Sequence, residues 1–103
     1  MGHNLIGRVM KSEVGNPTHP HLLTTVILVE PARGQKVPYL DIETGKNFGV
    51  SAPVKMSLRG RHIIGGQTIS ADYACHTGVL WVQHYNILDE KGNVIHSDFP
   101  EIS

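Results

Sequence analysis

The segment QTISADYACHTGVLWVQHYNILDEKGNVIH, residues 67–96, predicts three consecutive antiparallel strands joined by two short turns. In residues 69–76 apolar and polar side chains alternate, which is typical of a strand with one buried face. The run at residues 79–88 begins with apolar side chains on both faces, including the single tryptophan, Trp81. That pattern favours a strand buried on both sides at its start, and we expect Trp81 to lie in the core.

Glycine-containing pairs mark the turns around these strands. Gly65-Gly66 and Thr77-Gly78 bracket the first of them. The loop Asp89–Asn93 is polar and carries Gly92 near its end, which predicts a type I turn closed by a residue in the left-handed conformation.

The rest of the chain consists of further short strands separated by glycine and proline. We expect strands at residues 5–14, 22–30, 36–42, 48–51 and 54–59. Gly7 is a candidate bulge within the first of them, and Pro38 makes residues 36–42 an edge strand. The sequence therefore predicts one small all-β domain spanning residues 1–103. It would hold seven to eight short antiparallel strands, arranged as a β-sandwich, a jelly roll or a barrel.

Composition limits the function less than it limits the fold. Nine basic and nine acidic residues balance, so net charge favours no class of partner. One cysteine excludes an internal disulfide framework. The first residues lack the pattern of a signal peptide, and no apolar run is long enough to span a membrane. We expect cytoplasmic synthesis, no membrane partner and no cofactor.

A metal site is one hypothesis that the seven histidines raise. His19 and His21 have the spacing that places two imidazoles on one side of an extended strand. A mononuclear site needs three or four ligands, and no third ligand follows closely. A symmetric trimer would bring three such pairs together on its axis.

Catalysis has weaker support in the sequence. The nucleophile elbow, the zinc-protease helix, the phosphate loop and the dinucleotide fingerprint are all missing. We therefore expect a protein that is not an enzyme.

Binding of single-stranded nucleic acid, through a barrel of the oligonucleotide-binding type, is the alternative function. Lys55, Arg59 and Arg61 lie on or beside the polar face of the strand at residues 54–59. Further candidate contacts are Lys36, Lys46, Tyr39 and Phe48, with Trp81 and Tyr85 available for base stacking if they are exposed. Such a barrel usually carries a helix between its third and fourth strands, for which the sequence offers no candidate.

The preferred reading is a structural or interaction protein that assembles with copies of itself. Edge strands must be paired, covered or charged, and a chain of this size gains burial by forming a homo-oligomer. We expect a building block of a larger assembly, comparable with small all-β components of virions or appendages, into which the protein would be incorporated.

Overall fold

The computed structural model describes residues 3–15, 23–35 and 53–100, and these form six β-strands without a helix. The strands are β1 (His3–Val14), β2 (Thr24–Pro31), β3 (Val54–Arg59), β4 (Thr68–His76), β5 (Val79–Leu88) and β6 (Val94–Asp98). No helix of the described part is long and apolar enough to cross a membrane.

Five of these strands close into a barrel. The order in the sheet is β3-β2-β1-β4-β5-β6, and β3 also pairs with β5 where Ser57 lies opposite Trp81. The β3–β5 contact is parallel, whereas every other pairing is antiparallel. β6 lies outside the ring and continues along the second half of β5. The all-β prediction is confirmed, and among the three predicted architectures the structure is a barrel.

The number of strands differs from the prediction. The described residues contain six strands, not seven to eight. The strands expected at residues 36–42 and 48–51 lie outside the described residues.

A bulge explains why β5 is apolar on both faces at its start. Asp72 pairs with His84 and Tyr73 pairs with Val82, so Gln83 is an extra residue in β5. Before the bulge, Val82 points into the core; after it, Tyr85 and Ile87 do. The mixed pattern therefore marks a switch of face, and the prediction that this strand is buried on both sides is wrong.

The predicted bulge at Gly7 is also wrong. β1 carries its bulge at Met10, because Val9 pairs with Val29 and Lys11 with Leu28. Gly7 is regular strand, and a Cβ there would lie 2.4 Å from the carbonyl oxygen of Glu30. Glycine is required because β2 approaches the backbone of β1 this closely.

The core fills the barrel from all five strands. Its side chains include Leu5 and Val9 from β1, Ile27 and Val29 from β2, Met56 and Leu58 from β3, Ile69 and Tyr73 from β4, and Val82 and Tyr85 from β5. The predicted alternation of β3 and β4 is confirmed, since their apolar residues supply this interior.

The predicted turns form as expected. Thr77 and Gly78 both have positive φ, 50° and 79°, and join β4 to β5 as a two-residue turn. In the loop before β6, Gly92 has a φ of 85°. The Asp89 carboxylate accepts hydrogen bonds from the backbone N–H groups of Lys91 and Asn93, which lower the pKa of this carboxyl, the bond from Asn93 contributing most.

Candidate nucleic-acid interface

The outer surface where β1, β2, β3 and β5 lie side by side gathers basic side chains around one aromatic ring. Pairing across the strands aligns Lys11 with Leu28 and Leu28 with Lys55. Arg59 lies farther along β3, near Trp81 of β5. We call Lys11, Lys55, Arg59 and Trp81 together the cationic face.

Arg59 and Trp81 form its centre. The Arg59 guanidinium carbon lies 4.6 Å from the centroid of the indole ring, a cation–π contact. Trp81 is half-buried on the outside of the barrel. The prediction that Trp81 lies in the core is therefore wrong, because the bulge at Gln83 places Trp81 and the core residue Tyr85 on opposite sides of the strand.

Within residues 3–15, 23–35 and 53–100, no carboxylate contact neutralises the charges of Lys55 and Arg59. In the described residues, Lys11 pairs with Glu13 at 2.9 Å and Arg8 pairs with Glu30 at 3.8 Å. Neither Lys55 nor Arg59 forms an ion pair with another described residue, and the buried Arg59 Nε has no hydrogen-bond partner there. As far as the described residues show, these two basic side chains have no acidic partner within the protein.

Glu13 places a carboxylate next to Lys11 on this face. A hydrogen bond from Lys11 lowers the pKa of the Glu13 carboxyl, as do the positive charges of Lys11 and, less strongly, Lys55. The strand register, in which Lys11 and Lys55 both pair with Leu28, brings the charges of β1 and β3 to the same part of the surface. Glu13 offsets Lys11, which leaves the surplus positive charge on β3.

Half-buried aliphatic side chains form the floor between the charges. Val26 and Leu28 point outward from β2, and Leu28 lies in the row between Lys11 and Lys55. The stems of long basic side chains can cover such surface while their charged ends stay in water.

The structure places only part of the predicted site. Lys55 is exposed on β3 and Arg59 is half-buried at its end; Arg61 is exposed just beyond the strand, after Gly60. The other predicted contacts, Lys36, Lys46, Tyr39 and Phe48, lie outside the described residues, as do His19 and His21 of the predicted metal site. Within the described parts, no group of three or more potential ligands could hold a metal ion.

Sequence reasoning missed Lys11. Its side chain joins the face because the bulge at Met10 changes which side of β1 faces outward. The sequence Val9-Met10-Lys11-Ser12 gives no clear sign of that extra residue.

His62 was also missed, and it lies directly behind the cationic face. Its side chain is only 10% exposed, and its Nε2 lies 2.8 Å from the Arg59 carbonyl oxygen. Its backbone N–H donates to Thr25 Oγ1 at 2.9 Å, and its carbonyl accepts from Ser12 Oγ at 3.1 Å. Thr25 Oγ1 in turn donates to the Gly60 carbonyl. These bonds hold the turn after β3 against β1 and β2.

The other ring nitrogen of His62 faces β5 and β6. His62 Nδ1 lies 2.9 Å from the Tyr85 hydroxyl and 3.5 Å from Asp98 Oδ2. The Tyr85 hydroxyl donates to the same Asp98 oxygen at 3.3 Å. Burial, assisted by the charge and hydrogen bond of Asp98, raises the pKa of Tyr85 to about 12. Tyr85 therefore remains a neutral proton donor throughout the physiological range.

A second polar cluster links β6 to β5 and β4. His84 Nε2 lies 2.7 Å from Ser97 Oγ, and His84 Nδ1 lies 3.3 Å from Asp72 Oδ2. Phe99 stacks on the imidazole with centroids 4.2 Å apart. The same order of groups, serine, histidine and aspartate, activates the nucleophile of serine hydrolases. Catalysis by such a triad also needs hydrogen-bond donors in a water-excluded site, which stabilise the negative charge that develops on the substrate. Ser97 is exposed on the outermost strand, so we interpret the cluster as a support for β6.

Comparison of the chain with protein-family models, curated proteins and solved structures gave no match. The functional assignment consequently rests on the geometry of the cationic face.

Proposed function

We propose that the protein binds single-stranded nucleic acid on the cationic face. The observation that carries this proposal is the Arg59–Trp81 pair, which lies on the same strand face as the exposed Lys55 on the outside of a closed five-stranded barrel. An arginine and an aromatic ring complement a single strand, because the guanidinium attracts the anionic phosphate and the ring stacks on the π-face of any base.

The position of the pair on the barrel supports the same function. In the ring, β1 pairs with β2 and β4, and β3 lies parallel to β5. This arrangement resembles the oligonucleotide-binding barrel, in which the surface of the second and third strands contacts the ligand. Lys55 and Arg59 belong to β3, and Leu28 belongs to β2. Residues 60–67 connect β3 to β4 without the helix that many such barrels place there.

The balance of forces favours binding that is electrostatic and insensitive to sequence. Each base stacked on an aromatic ring contributes about 1–3 kcal/mol. Each phosphate neutralised on a single strand contributes about −0.7 to the slope of log K against log salt. With one ring and a few cations on the face, we expect modest affinity that falls as salt rises.

The single tryptophan provides a direct test. An oligothymidylate of about 16 nucleotides, the upper site size of one such barrel, should quench Trp81 fluorescence on binding. In the variant Lys55→Glu/Arg59→Glu, binding should disappear while the protein stays folded, because Lys55 is exposed and the half-buried Arg59 packs on the outside of the barrel and not in its core.

Lys91→Glu/Arg33→Glu is the matched control, since it makes the same change in net charge at exposed turn residues that are not part of the cationic face. Retention of binding by the control and its loss in the β3 variant would support the site. Equal loss in both variants would show that only net charge matters and would contradict the assignment to β3.

We also propose self-association through β6 as a second function, compatible with the first. In the described residues β6 pairs only with β5, and it exposes Val94 and Ile95 by 57% and 62%. Phe99, directly after the strand, is 68% exposed. An open edge with apolar side chains is a site for pairing with another strand, and an antiparallel pair of β6 strands would build a symmetric dimer.

Light scattering of the purified protein tests this second proposal. We expect at least a dimer, which Ile95→Lys should convert to a monomer, because the charge would be placed in the new contact. A protein that is monomeric at every concentration would exclude self-association. It would also exclude a role as the building block of a larger assembly.

A further inference from the structure

We propose that Ser97 is an acylation site, at which an activated ester or thioester transfers its acyl group to the serine hydroxyl oxygen. The inference rests on the second polar cluster, in which two hydrogen bonds join Ser97, His84 and Asp72. It is independent of nucleic-acid binding, because these residues lie on β4, β5 and β6 and none of them belongs to the cationic face.

The directions of the hydrogen bonds make Ser97 the donor to His84. A carboxylate can only accept, so the 3.3 Å contact to Asp72 places a proton on His84 Nδ1. In the neutral imidazole, Nε2 then carries a lone pair and accepts the hydroxyl proton of Ser97 over 2.7 Å. A hydroxyl that donates to a base, with the base oriented by a third group, is the arrangement that activates a serine nucleophile.

Further contacts fix the carboxylate and the imidazole in this orientation. Asn4 Nδ2 donates to Asp72 Oδ1 at 2.8 Å and to Ser70 Oγ at 3.0 Å, so the other carboxylate oxygen is directed to His84. Phe99 stacks on the imidazole with an interplanar angle of 15°, which fixes the plane of both ring nitrogens. The contacts that support β6 therefore also hold the base in place for Ser97.

Ser97 is accessible to a reagent, because β6 exposes its side chain. Side chains of a strand stand roughly perpendicular to the sheet, so pairing of another strand along the edge of β6 leaves the hydroxyl open. The same exposure limits the chemistry, since the anion that develops on the acyl group would be stabilised by water and not by preorganised donors. We therefore expect attack only on acyl groups with a good leaving group, and a stable acyl-serine as the product.

The reaction transfers one acyl group and consumes no other reagent. Ser97 Oγ forms a bond to the carbonyl carbon, and its proton passes to His84 Nε2. The bond from that carbon to the leaving oxygen or sulfur then breaks with its electron pair. The leaving group takes the proton from His84 and departs as an alcohol or a thiol, which returns the imidazole to its neutral form.

A fluorophosphonate tests the nucleophile directly, since an activated serine oxygen bonds to its phosphorus and displaces fluoride. The native protein should gain one phosphonyl group at about pH 8, above the usual range of histidine titration. Peptide mass spectrometry should place this group on Ser97.

Variants of the cluster test how the hydroxyl is activated. His84→Gln should slow the labelling at least about 100-fold, the lower end of what a general base contributes. Asp72→Asn should slow it as well, because an amide can donate to Nδ1 and so favours the tautomer with its proton on Nε2. His96→Gln, which removes the histidine of β6 outside this cluster, should keep the wild-type rate.

An acyl donor tests the proposed product. p-Nitrophenyl acetate should release one equivalent of p-nitrophenol in a reaction that stops when Ser97 carries the acetyl group. Ser97→Ala, which is expected to fold because it replaces an exposed side chain, should lack this release. Wild-type protein unfolded in urea should lack it too.

Three results would overturn the inference. The first is a native protein in which neither reagent modifies Ser97. The second is equal labelling in a folded His84→Gln variant or in the unfolded chain, since the hydroxyl would then react without the histidine. The third is sustained release of p-nitrophenol that depends on Ser97, since the acyl-serine would then be hydrolysed and not kept.

Discussion

Single residues determine where the strands pack closely and which side chains face the solvent. Trp81 shows this most clearly, since its neighbours in sequence are apolar while its ring lies on the outside beneath Arg59. Residue type alone predicts that a lone tryptophan in an apolar strand is buried. The extra residue Gln83 reverses that outcome for this strand. A bulge leaves no certain mark in one sequence, so the binding face could be only partly predicted.

Gly7→Ala should destabilise the barrel although the change adds only one methyl group. The new Cβ would lie 2.4 Å from the Glu30 carbonyl oxygen and 2.7 Å from Val29 Cγ1. Because the first of these is backbone, β1 and β2 must move apart, and we expect a loss of about 1–3 kcal/mol in the free energy of unfolding. Urea denaturation would measure it. Gly65→Ala, where a Cβ would meet no atom within 4 Å, is the control, and equal stability of the two variants would contradict the packing described for β1 and β2.

Tyr85 should give the protein a stability that declines in alkaline solution. The pKa of Tyr85 is raised from 10.0 to about 12 in the folded protein. Below pH 10 the contribution is complete. Between pH 10 and 12 the unfolded chain loses the phenolic proton while the folded chain keeps it, so stability falls as pH rises.

Tyr85→Phe should remove this decline. After allowance for solvent around Asp98, the wild-type protein should lose about 1–2 kcal/mol more than the variant across this interval. Denaturation of both proteins at the two ends of the interval measures the difference. Parallel pH profiles would show that the hydroxyl titrates alike in the folded and unfolded chains.

At the scale of elements, strand periodicity was the most reliable guide. β3 and β4 were predicted from alternation alone, and their inward residues form the core as expected. The loop closed by Gly92 was predicted from local turn chemistry, which needs no knowledge of distant residues. The parallel β3–β5 contact differs, because it joins residues 24 positions apart through Ser57 and Trp81. Nothing in the pattern of either strand specifies that pairing, so barrel and sandwich were equally compatible with the sequence.

β5 is the element on which the functional proposals meet. Its first half lies against β3 and carries Trp81, and its second half lies against β6 and carries Tyr85. His62 contacts the Arg59 carbonyl at one end and the Tyr85 hydroxyl at the other. Asp98 of β6 and the Arg59 carbonyl of β3 therefore contact the same imidazole ring.

The whole molecule has a formal net charge of zero, but its charged side chains are unevenly distributed over the surface. The turn before β6 carries acidic residues, whereas β3 carries cations without carboxylate partners among the described residues. Composition averages these regions and so favoured neither partner class, and the sequence alone ranked self-assembly above nucleic-acid binding. The closed barrel and the Arg59–Trp81 contact appear only in the three-dimensional structure. Because of them, our proposal places nucleic-acid binding before self-assembly.

The most direct test of nucleic-acid binding is a fluorescence titration of the wild-type protein with oligothymidylate at several salt concentrations. We predict saturable quenching of Trp81, with log K falling linearly with log salt at a slope of about −1.4 to −2.8, corresponding to two to four phosphate contacts. Unchanged Trp81 fluorescence at low salt, together with no co-migration of protein and oligonucleotide, would contradict the proposal that the cationic face binds single strands.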